Sequence, residues 1–480
     1  MESNLELQHV IYHVMKTQIE FGAYQFEERL PTIEDAAKLF MVSVKTIRNA
    51  YQRLAHDGYI SISKSVGVKV KVQYREQEFE TNIQHFFAER KNALLDLNQS
   101  MSLLFSNAQW LGFKNASLEL LTKIEQLANQ KENLTPYIMV RQLQYIYGAL
   151  GNDLLLRFVW HSFMFSSAPF LSVPRNLRRI QTEQNPLLEM IRMCRLENWQ
   201  ALRSSIIGFH NQRSLTLSQF YEERISSRSE RQTNFIWTSY KKASQVCYSL
   251  GMEFLIAIST DIYPVGSLLP SAGILAQKNH VSVNTIRRTI ALLNNIGATK
   301  SINGVGTQVL APEQIAESCD LSKKAVRERL LDYAKSLHIL ALSCKQTAIA
   351  TTSAMNQKSI ENWKECLKVY SQTQRQELVP YAIINLISKD APFMAVRTIY
   401  AELFQQLFWG YPLRNMLESS QEYKSFYLGY YDCFLDCLDR SDMLKFSAKL
   451  EELLKHELQF TVSQLTELGI DAAGALVLDQ

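Results

Sequence analysis

At 480 residues, 46% hydrophobic and 20% charged, the chain has room for three or four domains, each with its own core, and is too apolar for a disordered polymer. A formal net charge of +4 does not announce a nucleic-acid binder, so the distribution of charge has to do so. Seven cysteines (Cys194, Cys247, Cys319, Cys344, Cys366, Cys433 and Cys437) form neither an even disulfide framework nor a zinc pattern, which fits a reducing cytoplasm. Cys433 and Cys437, one helical turn apart, read as a thiol pair or, more commonly, as two core residues.

The polar, acidic opening MESNLELQHV is not that of a signal peptide. Leu5 to Phe21 reads as a helix, with Val10/Ile11, Val14/Met15 and Ile19 recurring at three and four. The Leu30-Pro31 step comes next, then a short helix carrying Ile33, Ala36, Ala37 and Phe40, and a turn at Met41-Val42. Ser43 is placed to N-cap the next helix, whose buried stripe is Ile47, Ala50 and Leu54. Lys45, Thr46, Arg48, Asn49 and Gln52 fall largely on its other side, where they suit donation to phosphates and base edges; the bland alternative is a solvated polar face. After Gly58, Tyr59 to Ile62 and Val68 to Val72 alternate as two strands around Lys64 to Gly67, a hairpin that carries Lys64 and Lys69. From Met41 to Arg75 there are seven Lys/Arg against one acid, Asp57. That local excess can anchor phosphates in a nearly neutral chain.

From about Glu76 to Ser229 the pattern is helical throughout, most clearly in Asn115 to Gln130. The apolar run Leu154 to Val173 is broken by Arg157, His161 and Pro169, a poor membrane span. The polar stretch Ser226 to Asn234 marks a boundary, after which a long helix leads through Val246, Leu250, Phe254, Leu255 and Ile258. That helix opens a second copy of the N-terminal pattern. At a constant offset of 239 residues, Ile19–Val70 aligns without a gap to Ile258–Val309, with 16 identities in 52 positions. They include Leu30-Pro31/Leu269-Pro270, Val-Ser-Val at 42/281, Thr-Ile-Arg at 46/285, Gly58/Gly297 and Gly67/Gly306. Between Ile262 and Pro312 there are four Lys/Arg (Lys278, Arg287, Arg288 and Lys300) and no acid. The remainder, from about Glu313, echoes the first helical stretch: residues 94–104 match 330–340, and Arg157 falls opposite Arg397.

Leu30-Pro31-Thr32, Val42-Ser43-x-x-Thr46-Ile47-Arg48, Gly58 and Gly67 resemble the winged helix-turn-helix of the GntR family of bacterial transcription regulators. Leu269-Pro270-Ser271, Val281-Ser282-x-x-Thr285-Ile286-Arg287 and the turn Gly304-Val305-Gly306-Thr307 resemble it again, so the expectation is a GntR-type regulator in tandem, internally duplicated form. The resemblance covers roughly 75 residues in each half. It implies a mainly α fold: winged domains over 1–75 and 234–312, each followed by an all-α effector or association domain, over 76–233 and 313–480. It also implies DNA contacts from Thr32, Ser43, Lys45, Thr46, Arg48, Asn49, Lys64, Gly67 and Lys69 in the first half. In the second they come from Ser271, Ser282, Asn284, Thr285, Arg287, Arg288, Lys300, Asn303, Gly304 and Gly306. The family commonly carries an Arg two residues after the Leu-Pro-Ser serine. Here Glu34 and Gly273 stand there, which shifts base reading to the recognition helices and wings.

In such regulators the companion domain holds a small-molecule effector and makes the dimer. One helical version binds a metal through three His and an Asp; here His85, His161 and His210 with Asp96 or Asp153 are the only candidates in the first module, and no metal or other cofactor is expected. A chorismate-lyase-like α/β version is disfavoured by the lack of strands. Aromatic residues are dense in both modules, which makes Trp110, Tyr145, Arg157, Trp160, Arg397 and Trp409 candidates for an effector pocket, although the core of a helical bundle is the commoner use. An aminotransferase-like fusion would need a Gly-rich α/β domain, and only 17 Gly with no phosphate-binding motif argues against any enzyme. The expectation is therefore a regulator in which two different recognition helices act as a pseudo-dimer within one chain on a double-stranded operator. An architectural DNA-binding protein without an effector is the competing reading, and two chains associating through the helical modules is a further possibility.

Overall fold

Ile11, Met15 and Ile19 repeat every four residues and bury one face of helix α1 (Ser3–Glu20), the first element of the computed structural model. The structure describes residues 3–63, 67–129, 136–174, 176, 179, 185–238, 246–372, 375–417 and 421–477. They fall into two units, Met1–Trp237 and, in the main, Thr238–Leu478.

In the first unit α2 (Ile33–Phe40) and α3 (Val44–His56) close over α1, with Ile47, Ala50, Tyr51 and Leu54 of α3 all at 0% exposure. The chain turns between α2 and α3 at Met41, whose φ of 56° is left-handed. Ser43 then caps α3: the Thr46 N–H donates to its Oγ at 3.1 Å. An antiparallel hairpin comes next, β1 (Ile60–Ser63) and β2 (Gly67–Val70), with Ile60 opposite Val70 and Ser63 opposite Gly67. Among the described residues six helices follow: α4 (Glu76–Lys114), α5 (Leu118–Ala128), α6 (Pro136–Gly148), α7 (Asp153–Ser172), α8 (Pro186–Arg195) and α9 (Trp199–Arg224).

These helices are not a separate body hung on the hairpin-bearing segment. Trp160, Phe163 and Met164 of α7 lie in the same hydrophobic cluster as Ile11, Phe40 and Ile47. The indole of Trp160 donates to the carbonyl of Phe40 at 3.1 Å, just before the α2–α3 turn. By length and composition α7 could cross a membrane, but 83% of that window is buried inside the protein's own fold, as expected of a core helix. The polar stretch Ser226–Asn234 is pinned along α4, where the Gln232 amide donates to the Ala88 carbonyl at 2.9 Å. Beyond it Phe235 and Trp237 are buried, the latter 4.9 Å from the Phe158 ring, so the first unit runs on to Trp237.

The second unit opens with α10 (Val246–Ser259), α11 (Ala272–Lys278) and α12 (Val283–Ile296), then the antiparallel hairpin β3 (Thr299–Ile302) and β4 (Gly306–Val309). Among the described residues eight further α-helices follow: α13 (Pro312–Ser318), α14 (Lys324–Ser353), α15 (Gln357–Gln372), α16 (Val379–Asp390), α17 (Met394–Gln406), α18 (Tyr411–Leu417), α19 (Gln421–Asp439) and α20 (Met443–Glu467). Its core is strongly aromatic, with Trp363 and Trp409 each 1% exposed. Among the described residues the two hairpins hold all the strands. The fold is mainly α.

Candidate DNA-binding surface

Because Ile47, Ala50 and Leu54 commit one face of α3 to the core, Lys45, Arg48 and Gln52 are exposed on the other and Asn49 is half-buried. Thr46 departs from the expected contact set. It is 1% exposed, and its hydroxyl lies 2.8 Å from that of Ser43, so its role is to lock the first turn of α3. Thr32, also expected as a contact, is exposed and caps α2 by accepting from the Asp35 N–H at 3.1 Å. Replacing Ser43 or Ser282, the equivalent cap of α12, by Ala should cost about 1 kcal/mol of stability each, read as a lower thermal midpoint.

Part of the basic excess of this segment is already engaged. The Arg53 guanidinium lies 4.3 Å from the Tyr12 ring centroid, and its Nη1 is 2.8 Å from Nδ1 of His9. Lys69 bonds to Glu27 at 2.7 Å, an exposed pair that contributes little to stability and can open when a phosphate competes. Gly67 is exposed at the start of β2, and Lys64 lies outside the described residues. Lys45 and Arg48 therefore carry most of the outward positive charge on α3. Asp57, next to His56 and accepting from Tyr12 at 2.7 Å, is held below the ordinary carboxylate range by those hydrogen bonds and stays ionised at the far end of the helix.

The second unit presents the same local frame, displaced by the same 239 residues. The Leu30 N–H donates to the Val68 carbonyl at 3.0 Å, and the Leu269 N–H to that of Thr307 at 2.8 Å. His280 has a φ of 53° where Met41 has 56°, and Gly297 and Gly58 are both at 83°. Ser282 caps α12, sharing a 2.8 Å hydrogen bond with Thr285, which is half-buried. Ile286, Leu293 and Ile296 face inward, while Asn284, Arg287 and Arg288 are exposed. On α11, Ser271 is exposed and caps the helix, accepting from the Ile274 N–H at 3.4 Å.

The hairpin of this unit is braced from behind. Asn294 of α12 accepts from Thr299 at 2.7 Å and donates to Ser301 at 2.9 Å. Lys300, Asn303, Gly304 and Gly306 are all exposed, with Val305 at the tip 59% exposed. Gly306 has a φ of 139°, which side-chain-bearing residues rarely adopt, although a Cβ there would find room, 3.8 Å from Leu268. Gly306→Val is thus expected to cost about 1–3 kcal/mol through backbone strain alone, with the loss confined to the hairpin in hydrogen exchange.

The cavities at Glu457 and at Arg213 are lined by none of the residues expected to hold an effector. Trp160 packs beneath Phe40 in the core of the first unit. Trp110 donates to the Trp199 carbonyl at 3.0 Å and lies between Lys114 and Arg203, whose charged groups sit 5.0 and 4.1 Å from its ring. Tyr145 is half-buried. Arg157 donates to the Asp153 carbonyl one turn back at 3.4 Å, and Arg397 to that of Ala391 at 2.5 Å. Trp409 would touch a Cβ added at Gly251 of α10, at 3.0 Å. His210 is buried against Gln109 at 2.9 Å and His161 packs edge-on to Phe235, and among the described residues no cluster of three His, Cys, Asp or Glu could hold a metal. A cavity of about 250 Å³ lies elsewhere, inside the second unit, where no sequence signal pointed.

The family described as "Bacterial regulatory proteins, gntR family" matches residues 7–70. That segment, α1 through β2, is a gntR-family helix-turn-helix DNA-binding domain. No curated protein matches the chain. Solved structures similar to it include Streptococcus agalactiae GntR, 15% identical over 45% of this chain and 99% of that one, with a TM-score of 0.22. A transcriptional regulator of the GntR family from Pseudomonas syringae is 16% identical over 45% of this chain and 86% of that one, with a TM-score of 0.21. A putative transcriptional regulator GntR from Rhodococcus sp. RHA1 is 16% identical over 46% and 98%, with a TM-score of 0.27. Similarity that remote fixes neither fold nor function.

Proposed function

We propose that this chain, with a gntR-family DNA-binding domain at residues 7–70, is a bacterial transcription regulator of the cytoplasm that grips its operator twice. Lys45, Arg48 and Asn49 of α3 with the first hairpin form one reading head; Asn284, Arg287 and Arg288 of α12 with Lys300 and Asn303 form the other. The observation that carries the reading is the recurrence, 239 residues on, of an exposed Arg at the same position of an equally capped helix. The family match itself covers the first head alone, so the second winged helix, and its origin by tandem duplication, are our inference from sequence and local geometry.

Dimeric helix-turn-helix proteins place identical recognition helices on half-sites about one helical turn apart, so their operators are palindromes. Here Asn284 stands for Lys45 and Arg288 for Asn49, which makes the half-sites differ and the operator asymmetric. The helical parts of each half serve as effector and association modules, and ligand binding there alters the spacing of the two heads and hence DNA affinity. The proposal contains no catalytic step.

Selection of bound fragments from random DNA tests it. The expected product is one defined site with two unlike halves. A perfect palindrome, paired with a stable chain dimer in sedimentation with and without that DNA, would remove the single-chain pseudo-dimer. Coating of DNA without preference in footprinting would instead establish the architectural reading.

A further inference from the structure

Helices α14, α16, α18, α19 and α20 of the second unit line a cavity of about 250 Å³, partly open to solvent and large enough for a single-ring or two-ring molecule. Its wall is aromatic, with Tyr333, Tyr381, Phe426 and Phe460, and two charged side chains reach it, Glu457 and Arg414. Both are buried, at 7% and 6% exposure. Their situations differ. The Arg414 guanidinium lies 4.6 Å from the Tyr381 ring centroid, and its Nη1 donates to the Leu407 carbonyl at 3.2 Å. Glu457 accepts from the Tyr427 hydroxyl at 3.0 Å through Oε1, while its buried Oε2 has no hydrogen-bond partner.

A carboxylate oxygen buried without a donor is costly, and such groups in native folds call for a partner. We propose that this cavity is the effector site and that it takes a small arylalkylamine, whose ammonium donates to Oε2 of Glu457 while its ring lies among Phe426, Phe460 and Tyr381. Aromatic faces stabilise a cation as well as an apolar ring, so the lining suits both ends of such a molecule. An anionic ligand would set a second negative group beside Glu457. The titratable and charged groups around Glu457 are Arg414, Tyr333, Tyr381, Tyr427 and His456. Burial raises the Glu457 carboxyl to about 7, so the amine, which favours the carboxylate form, binds more tightly as pH rises through that value.

The first unit sharpens the assignment. Glu457 lies fifteen residues after Asp442, the N-cap of α20; fifteen residues after Asn198, the N-cap of α9, stands Arg213. Arg213 is directed at Ser167 in a space of only about 20 Å³, room for little beyond a water. The amine is therefore expected to bind the full chain once.

This inference rests on the effector reading but is tested apart from it. Titration calorimetry of the full chain with phenethylamine, tyramine and tryptamine should show saturable binding at one site, with 3-phenylpropionate and 2-phenylethanol much weaker. Glu457→Gln, which keeps the side chain's volume, should weaken the amine by about 10- to 100-fold, and Thr461→Phe should block it by filling the cavity. Melting curves check that both variants remain folded. Failure of all three amines to bind protein that still holds DNA, equal binding of the carboxylate, or indifference to Glu457→Gln would each overturn the site. Glu457-dependent binding that leaves DNA affinity unchanged would keep the site and remove the effector reading.

Discussion

Arg48→Ala and Arg287→Ala should each weaken binding to the selected operator by about 5- to 150-fold, the loss of one good base or phosphate contact. Both side chains are exposed on the outward face of a helix whose opposite face is fully packed, so truncation removes no core contact. Unfolding free energies should accordingly stay within about 0.5 kcal/mol of the parent. Fluorescence anisotropy at two salt concentrations separates the possible roles. A phosphate contact lowers the salt dependence and weakens all sequences alike; a base contact relaxes discrimination at one position of the site. The two variants should act on different halves of the operator. If Arg287→Ala bound as tightly as the parent, α12 would not be a recognition helix, and the reading of one chain with two heads would fail while the gntR-family domain at 7–70 remained.

Gly297→Ala should destabilise the second unit by roughly 3–4 kcal/mol, while the matching change Gly58→Ala costs about 1–2 kcal/mol. Both glycines end their helices at a φ of 83°, so both variants carry the penalty of a left-handed backbone. Their surroundings set them apart. A Cβ at Gly58 meets nothing within 4 Å, whereas one at Gly297 lies 2.7 Å from the Ile315 carbonyl and 3.1 Å from the Cys319 nitrogen. Those atoms belong to the backbone at α13, which cannot rotate away as a side chain would. Denaturant melts of the two variants would show the difference, and equal losses would mean that α13 gives way at little cost. Because Gly297 joins α12 to its hairpin, the variant should also weaken DNA binding at temperatures where the parent is intact.

The local features are written plainly in the chain. Ile47, Ala50 and Leu54 fix the buried face of α3 by spacing alone, Ser43 and Ser282 mark the caps, and the alternation around Gly67 and Gly306 gives the hairpins. Long-range pairing is not legible. Nothing near Lys69 in sequence reveals that Glu27 will lie across from it, nor that Arg53 will settle on Tyr12, so the local charge excess overstates what faces outward. Thr46 falls at the edge of the helical stripe, and the fold turns it inward beside Ser43. Voids are no more legible: aromatic density signals a core and does not locate a cavity. The cavity at Glu457 draws its walls from five helices spread over more than a hundred residues, and an acid within the charged helix around Glu451, Glu452 and Glu457 looks solvated until the fold encloses it.

The hydrogen bond from Trp160 to Phe40, and the cluster around it, bear on how the DNA-gripping part can be handled. Residues 1–75 cut free would carry a raw apolar scar where α7 had lain, and a piece so trimmed should clump before it ever met an operator. A portion expected to stand in water unaided extends to Trp237. For the same reason, truncating Trp160 to Ala is expected to be felt at the turn leading into α3, as faster amide exchange around Met41.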